Sequence, residues 1–219
     1  MDNGKTGMGM NILAIETSQP HASLALSREG VIILKESWIA ERNHDAFLFP
    51  ALQRALYALG SGKPELILVG SGPGSYGGVR VALAAAVGIA QVTGADTAAI
   101  CSWSQLEESG AVLVSDARRG NWTIRRENGI VEVVDSNDLQ RLQAQNVRIL
   151  TVESADCLQK AGILPDRHNL IPTAEGLIRS WLNMTAEEQH RILNSPREPI
   201  YVRPPHITKP LHQPWEIRR

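Results

Sequence analysis

The sequence is poor in cysteine and in aromatic residues, and it lacks long apolar runs. Its 219 residues include two cysteines, Cys101 and Cys157, and 5% aromatic side chains. Because these cysteines form no CxxC pair, they predict neither a disulfide framework nor a cysteine-based zinc site, and they favour a reducing, cytoplasmic location. No run of about 18 apolar residues is present, so we expect no membrane-spanning helix.

Net charge is also nearly absent. The chain has 22 Lys and Arg against 23 Asp and Glu, a formal net charge of −1, so the whole protein attracts nucleic acid only weakly. Four arginines nevertheless cluster around one predicted hairpin: Arg118, Arg119, Arg125 and Arg126. They could bind RNA phosphate, but alternate strand residues point to opposite faces of a sheet, so a solvated surface is favoured.

The apolar runs follow the same order in the two halves of the chain. Each half opens with a short apolar strand that ends at an acid, Glu16 or Asp116, and continues with a hairpin and an alternation of helix and strand. This order predicts two pseudo-repeated α/β lobes of the actin-like (ribonuclease H-like, ASKHA) kind, each with a mixed β-sheet flanked by helices. The predicted lobes are residues 10–103 and 104–219.

Glycine and proline mark the remaining boundaries. Residues 1–9 are polar and Gly-rich, which suggests a leader before the first lobe. In the second half, Asn128-Gly129 predicts a type I′ hairpin turn, whose two central residues need positive φ. Six prolines after Ser195 predict an extended tail on the surface of the second lobe.

Two helices of the first half, predicted at residues 44–59 and 79–92, are apolar on more than one side. The second is built largely of Ala, Val and Gly, and small residues allow close approach of another helix. Apolar residues on several sides predict burial on several sides, either in the core or against another protein. The candidate interface residues are His44, Phe47, Leu48, Tyr76, Arg80, Ala82 and Ala86, and we expect Leu48→Glu to break association while leaving the fold intact.

A loop with four glycines, residues 71–78, lies between a predicted strand and the second helix. Gly72, Gly74 and Gly77 satisfy GxGxxG, but Asp96 precedes the next strand instead of ending it, so a dinucleotide site is disfavoured. The Lys-Ser/Thr of a phosphate-binding P-loop is absent. A backbone anion site near Arg80 and a tight turn that needs positive φ remain as alternatives.

The acids and histidines assemble no complete catalytic set. Glu16 and Asp116 could hold a divalent cation that activates water, or they could cap turns and pair with neighbouring arginines. None of the six histidines belongs to an HExxH motif, and Leu48 stands where a helix beginning at His44 would need a second ligand. We therefore expect no catalytic residue, no cofactor and no metal site.

Four stretches of the chain resemble the TsaB (YeaZ) family, historically grouped with the glycoprotease-like proteins. They are ILAIETS at residues 12–18, Arg42-Asn43-His44 with Leu48 and Pro50, GPGSYGGVR at residues 72–80, and DARRG at residues 116–120 followed by Trp122. The tail segment PIYVRPP at residues 199–205 also fits. Glu16 stands where the family usually has Asp, and Gly77 where it usually has Thr.

The resemblance implies an ASKHA fold and a non-catalytic subunit. In that family the subunit supports a TsaD-like catalytic partner, with a TsaE-like ATPase, in threonylcarbamoyl modification of adenosine 37 of tRNA. The first two helices would face the partner or a second copy in a homodimer, and tRNA would be contacted only indirectly. The TsaD paralogue carries a metal-binding HxxxH, whose second position is Leu48 here.

Two alternatives remain at this point. The first is an actin-like ATPase or kinase that uses Glu16 and Asp116 with magnesium. The second is a glycoprotease-type metallopeptidase.

Overall fold

A computed structural model describes residues 9–40 and 43–202. The first five strands form one sheet in the order β3-β2-β1-β4-β5, in which β1 is antiparallel to β2 and parallel to β4. The strands are β1 (Asn11–Glu16), β2 (His21–Arg28), β3 (Val31–Ile39), β4 (Leu66–Gly70) and β5 (Asp96–Ile100). Helix α1 (His44–Ala58) and helix α2 (Tyr76–Thr93) connect them.

The second sheet has four strands in the order β8-β7-β6-β9. Its strands are β6 (Ala111–Asp116), β7 (Asn121–Arg125), β8 (Val131–Asp135) and β9 (Arg148–Thr151). The later helices are α3 (Ser136–Ala144), α4 (Ala155–Gln159), α5 (Ala174–Asn183) and α6 (Ala186–Leu193), and a single 3-10 turn spans Ser104–Leu106. The tail beyond residue 202 lies outside the described residues, as does the predicted leader except Gly9.

The two sheets repeat one topology. Strand β6 is antiparallel to β7 and parallel to β9, just as β1 lies between β2 and β4 in the first sheet. A helix follows the third strand of each sheet, α1 in one and α3 in the other. The predicted pseudo-repeat of the actin-like fold is confirmed, and Glu16 and Asp116 end equivalent central strands.

Helices cover both faces of the first sheet, which is why β1 and β4 are almost continuously apolar. Leu13 and Ile15 pack toward α1 and α2, whereas Ile12 and Ala14 pack toward α5. Successive strand residues point to opposite faces, so both sets are removed from water. Burial of each large apolar side chain contributes about 1.5–3 kcal/mol relative to exposure.

The structure corrects the predicted extent of the second lobe. Helices α5 and α6 follow residue 104, but α5 packs on the first sheet, where Leu177, Ile178 and Trp181 join its core. The backbone N–H of Ala174 donates a hydrogen bond to the Ser23 hydroxyl at 2.8 Å. The apolar stripe of α5 buries the sheet face that α1 and α2 leave open, so the chain returns to the first lobe.

Two local predictions also change. In the β7–β8 hairpin, Gly129 has positive φ (80°) but Asn128 does not, and the Arg126 N–H donates to the Ile130 carbonyl oxygen. This is a longer loop with one left-handed residue and not a type I′ turn. Helix α2 begins at Tyr76, three residues before the predicted start, because the Ser75 hydroxyl caps it by accepting from the Gly78 N–H.

Helix α2 is unusual among the helices that the structure describes. By length and composition alone it could cross a membrane, with a mean hydropathy of 1.3 over 18 residues. Its buried residues are Gly78, Val79, Ala82, Ala85 and Ala86, all of which lie in its first two thirds. The apolar character of α2 therefore serves the core on one side and an open surface on the other.

Candidate protein interface and interlobe cleft

The glycine-rich loop between β4 and α2 packs directly on the end of β1. The Ser75 N–H donates to the Ser18 carbonyl oxygen at 2.6 Å, and the Thr17 hydroxyl donates to the Gly78 carbonyl oxygen at 2.8 Å. A Cβ at Gly78 would collide with the Thr17 carbonyl oxygen, and one at Gly74 with that of Ser18. These glycines permit a close backbone approach, which favours the structural interpretation of the motif over an anion site.

Glu16 is sealed beneath this loop. Its side chain is fully buried, and Oε1 accepts the Ser18 N–H at 2.8 Å. Oε2 has no hydrogen-bond partner in the described part of the chain. Burial raises the pKa of Glu16 above its ordinary value, although the nearby hydroxyls of Ser18 and Ser102 and local N–H groups oppose this.

Asp116, the counterpart of Glu16, lies in a different environment. It is exposed and lines a cavity of about 440 Å³ between the lobes. The structure therefore does not bring the two predicted acids into one open site. A solvated cation at Asp116 would have no access to the Glu16 carboxylate.

Sequence reasoning missed Glu153, which follows β9. Its Oε1 accepts the backbone N–H of Asp116 at 3.2 Å. Burial, with the Asp116 charge as a smaller cause, raises the pKa of Glu153. Parallel strands end at the same edge of a sheet, so the pairing of β6 with β9 could have predicted this pair of acids.

The start of the tail closes one side of the cleft. The Ile200 N–H donates to the Ser71 carbonyl oxygen at 2.8 Å. The rings of Tyr76 and Tyr201 lie 5.1 Å apart, and the Arg80 guanidinium stands 4.4 Å from the Tyr76 ring centre. Of the predicted interface residues, Tyr76 therefore contacts this tail segment, and Arg80 packs on the Tyr76 ring.

An apolar groove of about 860 Å³ runs between α1 and α2. Its polar lining residues are Asp45, Gln53 and Thr93, whereas most of its walls are apolar. Phe49 is 55% exposed and Val92 is 87% exposed. The apolar lining residues are Phe49, Leu52, Leu56, Val81, Ala84, Ala85, Gly88, Ile89 and Val92. Such a surface is typical of a protein interface.

The predicted interface residues divide into two groups. Phe47, Tyr76 and Arg80 are exposed, whereas four others are buried in the first lobe: His44, Leu48, Ala82 and Ala86. Because Leu48 has no exposed surface, Leu48→Glu would place a charge in the core. The expectation that Leu48→Glu keeps the fold intact is therefore wrong. Substitution of an exposed groove residue such as Phe49 is the appropriate test of the interface.

His44 is buried at the start of α1. Its Nδ1 has no partner in the described part of the chain, and burial lowers the pKa of the imidazole. Within residues 9–40 and 43–202, no group of three His, Cys, Asp or Glu side chains could hold a metal ion. His44 instead packs near Gly78, at the point where α1 and α2 begin.

Taken together, these features define an actin-like α/β protein with two repeated sheets, a glycine loop packed on a sealed strand end, and an open apolar helix pair. A crystal structure from Pseudomonas aeruginosa, described as an uncharacterized protein with similarity to peptidase YEAZ, has the same fold. The TM-score is 0.66 at 22% identity, over 89% of this chain and all of that one.

Sequence comparisons give the family. A family model described as TsaD, tRNA N6-adenosine threonylcarbamoyltransferase, matches residues 37–155. A Bacillus subtilis protein, tRNA threonylcarbamoyladenosine biosynthesis protein TsaB, is 32% identical over 57% of this chain and 59% of its own length. The Escherichia coli protein of the same name is 29% identical over 89% of this chain and 95% of its own length. The chain belongs to the family of this model and, within it, to the TsaB (YeaZ) proteins.

Proposed function

We propose that the chain is a non-catalytic partner subunit in the biosynthesis of threonylcarbamoyladenosine on tRNA. In this role it binds a TsaD-like catalytic subunit through α1 and α2 and works with a TsaE-like ATPase. The names of the two TsaB relatives support the pathway. The apolar groove between α1 and α2 is the observation that carries the proposed mode of action.

The groove has the chemistry of an interface core. Its aromatic wall, Phe49, is half exposed, and the small residues Ala84 and Gly88 on α2 would let a partner helix approach closely. Water-exposed apolar surface of this extent is costly in a monomer, and its burial would drive association. A second copy of the chain could occupy the same surface when the catalytic partner is absent.

The test compares two exposed aromatic positions on α1. Phe49→Glu places a charge in the groove, whereas Tyr57→Glu changes a side chain that is 88% exposed and lies outside the groove. Calorimetric titration with the TsaD-like subunit should show affinity reduced by about 100-fold for Phe49→Glu, as for loss of a central interface anchor. Tyr57→Glu should bind like the unmodified protein.

Circular dichroism melting should show that both variants fold. Unchanged affinity for Phe49→Glu would contradict the proposed surface. Analytical ultracentrifugation of the chain alone separates the two occupants. A dimer that Phe49→Glu dissociates, and that the TsaD-like subunit displaces, would show that both use the groove.

The absence of catalysis is tested separately. Sealing of Glu16 beneath the glycine loop keeps its carboxylate out of the cleft that Asp116 lines, so the two predicted acids cannot share a cation, which favours a subunit without turnover of its own. Purified chain should hydrolyse neither ATP nor peptides, and its addition should restore tRNA modification by the TsaD-like and TsaE-like proteins. Micromolar binding of magnesium and ATP that Asp116→Ala abolishes would favour the kinase-like alternative instead.

A further inference from the structure

The hairpin between β6 and β7 has an unusual backbone. Arg118 and Arg119 have φ of 65° and 57°, and Gly120 follows with φ of 72°. Left-handed backbone is unfavourable for residues other than glycine, and two such residues in succession are rarely found. We call residues 117–120 the arginine loop.

Hydrogen bonds hold this loop in its conformation. The Ala117 N–H donates to the Asn121 carbonyl oxygen at 2.9 Å, and the Asn121 N–H donates to that of Arg118 at 3.2 Å. The Asn121 side-chain amide donates to the Arg119 carbonyl oxygen at 3.0 Å. The two arginines are therefore presented by an ordered turn.

The structure divides the four arginines that flank β7 into two groups, one with ion-pair partners and one without. Arg125 pairs with Glu107 and donates to the Gly129 carbonyl oxygen, and Arg126 pairs with Glu132 at 2.7 Å. The guanidinium groups of Arg118 and Arg119 have no ion pair or hydrogen bond within the described residues.

Two acids lie beside the arginine loop at the ends of β6 and β9. Asp116 Oδ1 accepts the backbone N–H of Arg118 at 2.6 Å, and Glu153 Oε1 accepts the backbone N–H of Asp116. These two oxygens accept backbone N–H groups and form no ion pair with either arginine among the described residues. No described residue pairs with the two exposed guanidinium groups, so within this part of the chain they are free to bind an external anion.

We propose that Arg118 and Arg119 bind the phosphate backbone of tRNA directly. The inference rests on the proposed function and changes one expectation of the sequence, that tRNA is contacted only through another subunit. No residue of the second lobe lines the apolar groove. The groove and the arginine loop are therefore different surfaces of the chain. The other two macromolecules of the proposed reaction are the TsaE-like ATPase and tRNA. Of these, tRNA carries a phosphate on every nucleotide, and guanidinium groups match phosphate in charge and geometry.

The expected effect follows from counterion release. Each phosphate contact to single-stranded nucleic acid adds about 0.7 to the slope of log affinity against log salt, so two contacts add about 1.4. At about 0.1 M salt, loss of one such contact lowers the RNA affinity about 5-fold, and loss of both lowers it about 25-fold.

The experiment uses the complex of this chain with its TsaD-like and TsaE-like partners. An unmodified tRNA transcript carrying the target adenosine is the probe, and fluorescence anisotropy measures affinity over a series of KCl concentrations. Arg118→Gly with Arg119→Gly removes both charges and also relieves the left-handed backbone. It should therefore lower RNA affinity about 25-fold and reduce the salt slope by about 1.4 while raising the melting temperature.

Two control variants sharpen the result. Arg118→Lys with Arg119→Lys keeps the charge and should retain most of the salt slope. Arg126→Ala removes a paired arginine of the neighbouring β7–β8 hairpin and should leave the salt slope unchanged. Equal affinity and slope for the glycine variant and the unmodified complex would overturn the proposal. So would a glycine variant that loses a protein subunit but keeps its RNA affinity, since the loop would then bind an acidic protein surface.

Failure of the proposed function would give a different result. If the unmodified chain forms no complex or supports no modification, the proposed function fails. The same salt series on the chain alone then tests the loop by itself. Absence of RNA binding, or binding that the glycine variant retains, would refute the loop's role.

Discussion

Glu16 and Asp116 end equivalent strands of the two lobes, yet their surroundings are opposite. In the first lobe the glycine loop covers the end of β1, and Glu16 is fully buried. In the second lobe the end of β6 leads into the arginine loop, and Asp116 faces the cleft between the lobes. The comparison shows that a repeated topology places residues at equivalent positions. The loop that follows each strand decides whether its last residue is buried or exposed to solvent.

Substitution in the glycine loop should cause the largest change in the free energy of unfolding, because the packing of this loop on β1 distinguishes the two lobes. Gly78→Ala would place a methyl group against the Thr17 carbonyl oxygen, and we expect a loss of about 3 kcal/mol or more in the free energy of unfolding. The matched control is Gly77→Ala, where no atom lies within 4 Å of the added group.

Gly77→Ala lies in the first turn of α2 and should stabilise the protein by up to about 0.5 kcal/mol, because alanine favours a helix over glycine. Urea denaturation measures both changes. Equal stability of the two variants would show that close packing of the loop does not seal the first lobe.

Substitution of the buried Glu16 should cause an intermediate change in the free energy of unfolding, and the size of this change should depend on pH. The folded-state pKa of Glu16 is raised above its ordinary value of 4.5, so folding favours the protonated form. The stability that protonated Glu16 contributes to the folded state is complete below about pH 4.5. This stability is lost as the pH rises through the folded-state pKa. Glu16→Gln keeps the shape and should stabilise the protein by about 1–2 kcal/mol at pH 7.

Asp116→Asn is the counterpart in the second lobe. It should change the free energy of unfolding by less than about 0.5 kcal/mol, as for most exposed positions. Urea denaturation between pH 4 and pH 8 distinguishes the two sites. If Glu16→Gln follows the same pH dependence as the unmodified protein, the burial of Glu16 carries no proton linkage.

The arginine loop should show the smallest effect on stability. A left-handed residue other than glycine costs about 1–2 kcal/mol, and the greater freedom of glycine in the unfolded chain offsets part of the relief. Arg118→Gly alone should therefore stabilise the protein by about 0.5 kcal/mol. Differential scanning calorimetry checks this value, and a lower melting temperature would mean that the arginine side chain stabilises the loop.

Local patterns predicted most of the elements but not all of their partners. The strand order of each sheet agrees with the predicted repeat, because hairpins and alternating helices leave few topologies open. Helices α4 and α6 were missed, since they span only five and eight residues. The placement of α5 against the first sheet could not be predicted, because its apolar stripe fits either lobe equally well.

The candidate interface illustrates the same limit. The sequence predicted that the first two helices are apolar on several sides, but it assigned Leu48, Ala82 and Ala86 to the interface. The structure places these residues in the core and exposes Phe49 and Val92 at the groove. A helical stripe identifies which residues share a face, but only the packing of the helix on its sheet decides which face is covered.

The sequence by itself determined the two repeated halves, the position of an acid at the end of each central strand, and the family to which the motifs belong. These properties depend on neighbours a few residues apart, and local chemistry is enough to specify them. Only the tertiary structure decided that Glu16 is sealed, that Glu153 joins Asp116, and that Arg118 and Arg119 are unpaired among the described residues while Arg125 and Arg126 are neutralised. Burial and ion pairing depend on residues far apart in the chain, and their contacts exist only after the chain has folded.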